Sequence, residues 1–106
     1  MPTIEDFKKF EFKIAEIESA EPHPNADKLT VLKLRVGDLQ KQIVAGIRLH
    51  YTTEELKGKK IVIIDNLEPA IIRGVESQGM LLAASDETKL TLVIPEREIA
   101  SGARVK

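Results

Sequence analysis

The stretch Phe10-Glu11-Phe12-Lys13-Ile14-Ala15-Glu16-Ile17 decides the fold class of this 106-residue chain. Apolar and polar residues alternate from Phe10 to Ile14, which is the pattern of a half-buried β-strand. The alternation shifts by one position at Ala15-Glu16-Ile17, and such a shift indicates a β-bulge. Because bulges help to curl sheets into barrels, this stretch predicts a curved, all-β architecture.

The rest of the chain adds short strands and two short helices. Thr3 precedes the first helical segment as its N-cap residue, residues 52–56 form a short helical turn that ends at Gly58, and the loop at residues 21–27 is rich in proline. Residues 66–79 show little regular periodicity. A last short strand follows Gly102, and the other predicted strands cover residues 29–36, 42–47, 60–67, 80–84 and 90–94. We therefore predict a single domain over residues 1–106, built as an all-β barrel or sandwich.

The composition restricts the classes of function. The absence of cysteine excludes disulfides, thiolate catalysis and zinc ribbons. His23 and His50 do not have metal-ligand spacing, and His23, which lies between two prolines, is interpreted as a structural loop residue. No apolar run approaches the roughly 18 residues of a membrane span, and residues 1–10 do not resemble a signal peptide. We expect a cytoplasmic, non-enzymatic protein with no catalytic residue, no metal and no other cofactor.

The net charge of −1 conceals an uneven distribution along the chain. Residues 28–60 contain eight basic and three acidic residues, whereas residues 1–27 and 61–106 are both acidic on balance. A basic segment in a near-neutral chain is compatible with one anion-binding face, and it is also compatible with an ordinary mixed surface. Charge alone therefore does not separate these two interpretations.

Three segments carry a resemblance to a known family. In order, they are His23-Pro24-Asn25-Ala26-Asp27-Lys28-Leu29, Ile43-Val44-Ala45-Gly46-Ile47 and Arg73-Gly74-Val75-Glu76-Ser77-Gln78-Gly79-Met80. Together they resemble the tRNA-binding domain that is appended to many methionyl-tRNA synthetases. This domain is similar to the C-terminal part of the endothelial monocyte-activating polypeptide and to some free-standing tRNA-binding proteins. The resemblance runs from about Phe7 to the end of the chain.

The resemblance implies an OB-fold, which is a five-stranded Greek-key barrel, here with short helices and a C-terminal extension. It also implies a homodimer that binds tRNA with little sequence preference and increases tRNA capture by methionyl-tRNA synthetase, in cis or in trans. We expect the last strands and the tail to form the dimer surface. A peptide-binding chaperone of the same fold is the nearest alternative, although it lacks segments similar to HPNADKL and SQGM. A purely structural dimerisation domain is a third alternative.

The residue types indicate how tRNA would be bound. The chain has only four aromatic residues, and Phe7, Phe10 and Phe12 are core candidates, so little remains for base stacking. We therefore predict recognition of phosphate and RNA shape. Ser77 and Gln78 could instead form a turn that bonds only its own backbone. The predicted tRNA-binding residues are Lys28, Lys33, Arg35, Arg48, Asn66, Arg73, Ser77, Gln78 and Met80.

Overall fold

The structure, a computed structural model, describes residues 1–106 and consists mainly of short β-strands. The helices are α1 (Ile4–Phe7) and α2 (Thr53–Leu56), and neither has the length or apolar character needed to cross a membrane. The strands are β1 (Phe12–Pro22), β2 (Thr30–Val36), β3 (Leu39–Ala45), β4 (Lys60–Ile64), β5 (Ala70–Ile72), β6 (Val75–Ser77), β7 (Met80–Leu81), β8 (Ala83–Ser85), β9 (Leu90–Leu92) and β10 (Arg104–Val105). The prediction of an all-β fold with two short helices is confirmed.

Both helices begin with a capping box. The hydroxyl group of Thr3 accepts a hydrogen bond from the amide of Asp6, and the Asp6 carboxylate accepts one from the amide of Thr3. Thr52 and Glu55 form the same reciprocal pair at α2. Each box satisfies two N–H groups that have no partner within the helix, and the N-cap prediction for Thr3 is confirmed.

The main sheet has the strand order β3-β2-β1-β4-β7, and every pair of neighbours is antiparallel. β10 pairs with the first residues of β1. It uses the same edge of β1 that pairs with β2 from Glu16 onward. The sheet curls so that β3 approaches β6 and β7. β5 and β6 form a separate hairpin beside β3, and β8 and β9 form a second hairpin.

β1 is buried on both of its faces. Ala15 and Ile17 belong to the main core, whereas the buried Ile14 lies outside that core, and its backbone bonds the C-terminal segment. The ladder between β1 and β4 is regular from Phe12 to Glu16, so there is no bulge at these residues. Ile14 and Ala15 are both buried because the two faces of β1 are both covered. The bulge lies between Ile17 and Ser19, in the ladder with β2. The bulge prediction is confirmed, but its predicted position is wrong.

The core fills the inside of the curled sheet with aliphatic side chains. It consists of Ala15, Ile17, Leu32, Leu34, Val36, Ile43, Ala45, Ile47, Leu56, Ile61, Ile63 and Leu92. The apolar run at residues 61–64 is buried throughout, as expected for the strand next to β1. Large aliphatic side chains of this kind stabilise a fold by about 1.5–3 kcal/mol each when fully buried.

Two parts of the sequence prediction are corrected. β3 begins at Leu39, before its predicted start, and ends at Ala45, so that Gly46 follows the strand. The irregular residues 66–79 contain the β5–β6 hairpin, which was not predicted. Its strands have only three residues each, and such short strands do not show a measurable alternation.

Three charged side chains meet at the end of the barrel opposite the β1–β2 loop. The Asp65 carboxylate lies 3.0 Å from the ammonium group of Lys13 and 2.5 Å from that of Lys41. Lys41 also donates to the main-chain carbonyl of Asp65 at 3.0 Å. Desolvation raises the pKa of Asp65, but the hydrogen bonds from Lys41 and Lys13 outweigh it and lower the pKa below its ordinary value.

We expect Asp65→Asn to reduce the free energy of unfolding by about 2 kcal/mol near neutral pH, because it removes hydrogen bonds between charged groups. The pKa of Asp65 is lowered in the folded state, so this stabilisation is present above the unfolded pKa of about 4 and is lost as the pH falls through the folded pKa. Urea unfolding at about pH 7 and about pH 2 tests this difference. Glu68→Gln, at an exposed carboxylate, is the control. Equal destabilisation by Asp65→Asn at both pH values would contradict the assignment.

Candidate nucleic-acid interface

His23 joins the β1–β2 loop, residues 23–29, to the β5–β6 hairpin. Its side chain is buried, and Nδ1 accepts a hydrogen bond from the amide of Asn25 at 2.9 Å. The ring proton is therefore assigned to Nε2, which donates to the carbonyl of Ile72 at 3.0 Å. Both ring nitrogens are used within the chain, which agrees with the interpretation of His23 as a structural loop residue.

The β5–β6 turn consists of Arg73 and Gly74, both with positive φ angles of 52° and 89°. A two-residue hairpin loop with two positive φ angles is the geometry of a type I′ turn. The Arg73 guanidinium donates to the carbonyl of Asn25 at 3.0 Å, and the Asn25 amide group donates to the carbonyl of Arg73 at 3.5 Å. Loop and turn are therefore held together in both directions.

Arg48 supports the same loop from the segment that follows β3. Its guanidinium donates to the carbonyl of Ala26 at 3.0 Å, and its amide donates to the carbonyl of Lys28 at 3.4 Å. The Lys28 side chain is exposed. Lys28, Arg48 and Arg73, called the loop cluster below, therefore come together from three distant parts of the chain. None of the three forms an ion pair with a carboxylate.

Lys33 and Arg35 project from the same face of β2, as predicted from their spacing. Acidic side chains from β1 lie beside Arg35, with Glu16 at 3.7 Å and Glu18 at 3.9 Å from its guanidinium. Lys33 donates to the side-chain carbonyl of Gln42 on β3. The positive charge of Arg35 is thus balanced within the chain, whereas Lys33 contacts only a neutral amide oxygen.

Asn66 fixes the linker between α1 and β1. Its side-chain oxygen accepts from the amide of Glu11 at 2.8 Å, and its side-chain nitrogen donates to the carbonyl of Lys9 at 2.8 Å. These two bonds satisfy the polar groups of the Asn66 side chain within the chain, so its presence requires no ligand. Asn66 also lies far from the loop cluster in the fold.

Ser77 and Gln78 connect the chain before β7 to the free edge of β3. The Ser77 hydroxyl accepts from the amide of Val44 at 3.0 Å and donates to the carbonyl of Gly79 at 3.1 Å. The Gln78 side-chain oxygen accepts from the amide of Gln42 at 2.8 Å, and the Gln78 amide donates to the carbonyl of Gln42 at 2.7 Å. The alternative of a turn whose side chains bond only their own backbone is therefore wrong.

The remaining candidates lie outside the loop cluster. Ser77 is only 4% exposed, so the structure places it in the barrel wall rather than on a contact surface. Met80 pairs with Ile64 on β4 and is half exposed. The structure thus brings together three of the nine predicted site residues, Lys28, Arg48 and Arg73.

The aromatic residues are not positioned for base stacking at the loop cluster. Phe7 and Phe12 stack with ring centroids 5.1 Å apart, and Phe10 lies 6.3 Å from Phe12. Phe7 and Phe10 are partly exposed, so their assignment to the core is wrong. The Tyr51 hydroxyl accepts from the amide of Leu92.

Asn25 belongs to the candidate site, although the sequence did not single it out. It contacts Arg73 across 48 positions of the chain, and it positions the guanidinium of the loop cluster. The only sequence signal for Asn25 was its position in the segment of residues 23–29. A contact between residues 48 positions apart leaves no local pattern in the sequence.

A family model described as "Putative tRNA binding domain" matches residues 12–104. This chain belongs to the tRNA binding domain family. Methionine–tRNA ligase of Thermococcus kodakarensis is 46% identical to the domain over 104 residues, which are 98% of this chain and 14% of the ligase. The domain therefore spans only a small part of the length of this relative.

Solved structures support the same relationship. A MetRS-related protein from Pyrococcus horikoshii superimposes on the domain with a TM-score of 0.93 at 37% identity, covering 100% of this chain and 98% of that protein. The chaperone CsaA from Bacillus anthracis superimposes with a TM-score of 0.90 at 29% identity, covering 100% and 99%. The all-β fold is thus common to relatives with two different functional names.

We expect Ser77→Ala to lower the free energy of unfolding by about 1–3 kcal/mol, because the amide of Val44 then lacks a partner. The dependence of tRNA affinity on salt should stay unchanged, since no cation is removed. Urea unfolding and tRNA titration of the same protein measure the two quantities. The exposed Ser85, on β8, provides the control variant Ser85→Ala. A normal stability combined with a weaker tRNA affinity would show that Ser77 contacts RNA.

Proposed function

We propose that residues 1–106 form one non-catalytic OB-fold domain that binds tRNA and increases its capture by methionyl-tRNA synthetase. The observation that carries the proposal is the loop cluster, in which three cations converge at one end of the barrel. Membership in the tRNA binding domain family supports the class of ligand. The similarity to methionine–tRNA ligase supports the association with that enzyme in the cytoplasm, either in the same chain or as a separate subunit.

The binding mode follows from how the cations are held. Arg48 and Arg73 are oriented by main-chain carbonyls, which direct a guanidinium without cancelling its charge. Phosphate oxygens are the natural partners of such groups in RNA. Because phosphate contacts carry no sequence information, we expect little preference among tRNAs.

A peptide-binding chaperone is the second candidate. The similarity to CsaA supports it, and so does the exposed Ile71 on β5, a strand that pairs only with β6. A free strand edge can pair with an extended peptide. Suppression of client aggregation without any tRNA binding would favour this candidate.

We expect the affinity for mixed tRNA to fall steeply with salt. Each phosphate contact predicts a loss of roughly three- to fivefold between about 50 mM and about 300 mM monovalent salt, because bound counterions are released. A gel-shift or fluorescence titration at these two salt concentrations measures the effect. Lys28→Gln should weaken binding, whereas Lys89→Gln, at an exposed lysine in the β8–β9 turn, should not. Unchanged affinity across this range would contradict the electrostatic mechanism.

We also propose that the domain is a homodimer that associates through the apolar layer that covers the outer face of β1 and β4. Phe12, Ile14, Val62 and Ile64 alternate along this face, opposite to the core. Exposed apolar side chains from both ends of the chain belong to elements that border it, namely Ile4, Phe7, Phe10, Val93, Ile94 and Ile99. Clustered exposed apolar residues typically mark interaction surfaces. This proposed surface includes the tail, as expected from the sequence, and adds α1.

We expect Phe7→Ser and Ile94→Ser each to weaken dimerisation by about tenfold or more, since each removes about 1.5–3 kcal/mol of apolar burial. Sedimentation equilibrium measures the monomer–dimer constant. Leu49→Ser is the matched control, because Leu49 is exposed at the opposite end of the barrel. Equal effects of all three variants, or a monomeric wild-type protein, would contradict this surface.

A further inference from the structure

A surface pocket of about 390 Å³ lies between the β1–β2 loop and the β5–β6 turn. Residues 25–29 form one side and Arg73 forms the other. The interlock between Asn25 and Arg73 fixes the distance between the two sides. This pocket is therefore an open depression within the loop cluster whose two sides are held in a fixed relation.

The residues of the pocket favour an anion. Lys28 and Arg73 line it directly, and Arg48 bonds the carbonyl of Ala26. Asp27 is the only acidic residue in the lining, so the two lining cations outnumber the carboxylates. The positive charge therefore exceeds the negative charge at this position.

The loop also presents backbone donors. The amide N–H groups of Ala26, Asp27 and Lys28 donate no hydrogen bond within the chain, although the neighbouring amides of Asn25 and Leu29 do. All three residues line the pocket. Successive unpaired amides in a turn are a common element of phosphate-binding sites.

Arg73 is held in a conformation that an arginine rarely adopts. It is the only residue other than glycine with a positive φ angle, and its position in a type I′ turn favours asparagine or glycine. Such a conformation persists where the surrounding structure enforces it, and here Asn25 does so. An arginine in this strained conformation indicates that its guanidinium group has a role at the β5–β6 turn.

We propose that this pocket holds a single phosphate group of the RNA backbone, contacted together by Lys28, Arg73 and the free amides of the loop. The inference rests on the proposed tRNA-binding function, and it assigns both side chains to the same phosphate. Arg48 and Asn25 are positioning residues, because they bond the loop and the turn rather than the phosphate.

Salt dependence distinguishes one shared phosphate from two separate ones. Each lost phosphate contact reduces the slope of log affinity against log salt by about 0.7–0.9. We expect Lys28→Gln and Arg73→Gln each to reduce the slope by about one contact, and the double variant to reduce it no further. Additive losses in the double variant, or no loss in either single variant, would overturn the proposal while leaving tRNA binding intact. Lys89→Gln is the control.

A phosphate titration followed by ¹⁵N–¹H spectra tests the pocket without tRNA. We expect inorganic phosphate to shift the amide signals of residues 26–28 in the wild-type protein, and Arg73→Gln to abolish these shifts. Absence of the shifts in the wild-type protein would overturn the pocket assignment. Shifts without any tRNA binding would instead retain the pocket and reject the proposed function.

The turn strain gives an independent test of the role of Arg73. Arg73→Gly relieves the positive φ angle but removes the guanidinium, so its melting temperature should not fall below that of Arg73→Gln. Its tRNA affinity and phosphate response should be reduced as much as those of Arg73→Gln. Wild-type tRNA affinity and phosphate response in Arg73→Gly would overturn the proposal.

Discussion

β3 pairs with β2 along one edge, and side chains rather than a further regular strand satisfy part of its other edge. An unpaired strand edge carries backbone groups that need hydrogen-bond partners. Ser77 and Gln78 provide these partners for Val44 and Gln42. The sheet thus closes through side-chain hydrogen bonds, which fix the chain before β7 against β3.

This closure also determines where the functional residues lie. Because β6 ends at Ser77 beside β3, the hairpin of β5 and β6 is held at that edge, and its turn lies against the β1–β2 loop. His23 and Asn25 complete the connection. The motif residues that suggested RNA contacts therefore build the barrel wall, while the cations of the proposed site depend on that wall for their position.

Much of the barrel could be predicted from the sequence, because β1, β2 and β4 are long enough for alternation or continuous burial to be visible. The resemblance suggested the ligand class, and the cationic candidates chosen beside it included Lys28, Arg48 and Arg73, which the structure brings together. It could not separate them from Arg35, since the neutralisation of Arg35 depends on strand pairing that places Glu16 opposite it. The role of Ser77 was equally hidden, because its partner Val44 lies 33 positions earlier in the chain.

The distinction between neutralised and available cations rests on the kind of oxygen that each one contacts. Lys13 and Lys41 share the Asp65 carboxylate, so their charge is partly cancelled where they are buried. Arg48 and Arg73 contact only carbonyl oxygens, which orient the guanidinium but leave its net charge and its remaining donors unused. The cations at the Asp65 end are therefore partly neutralised by a carboxylate, whereas those of the loop cluster are not paired with one. A phosphate is expected at the loop cluster because an incoming anion can gain a charge-assisted hydrogen bond there without displacing a carboxylate of the protein.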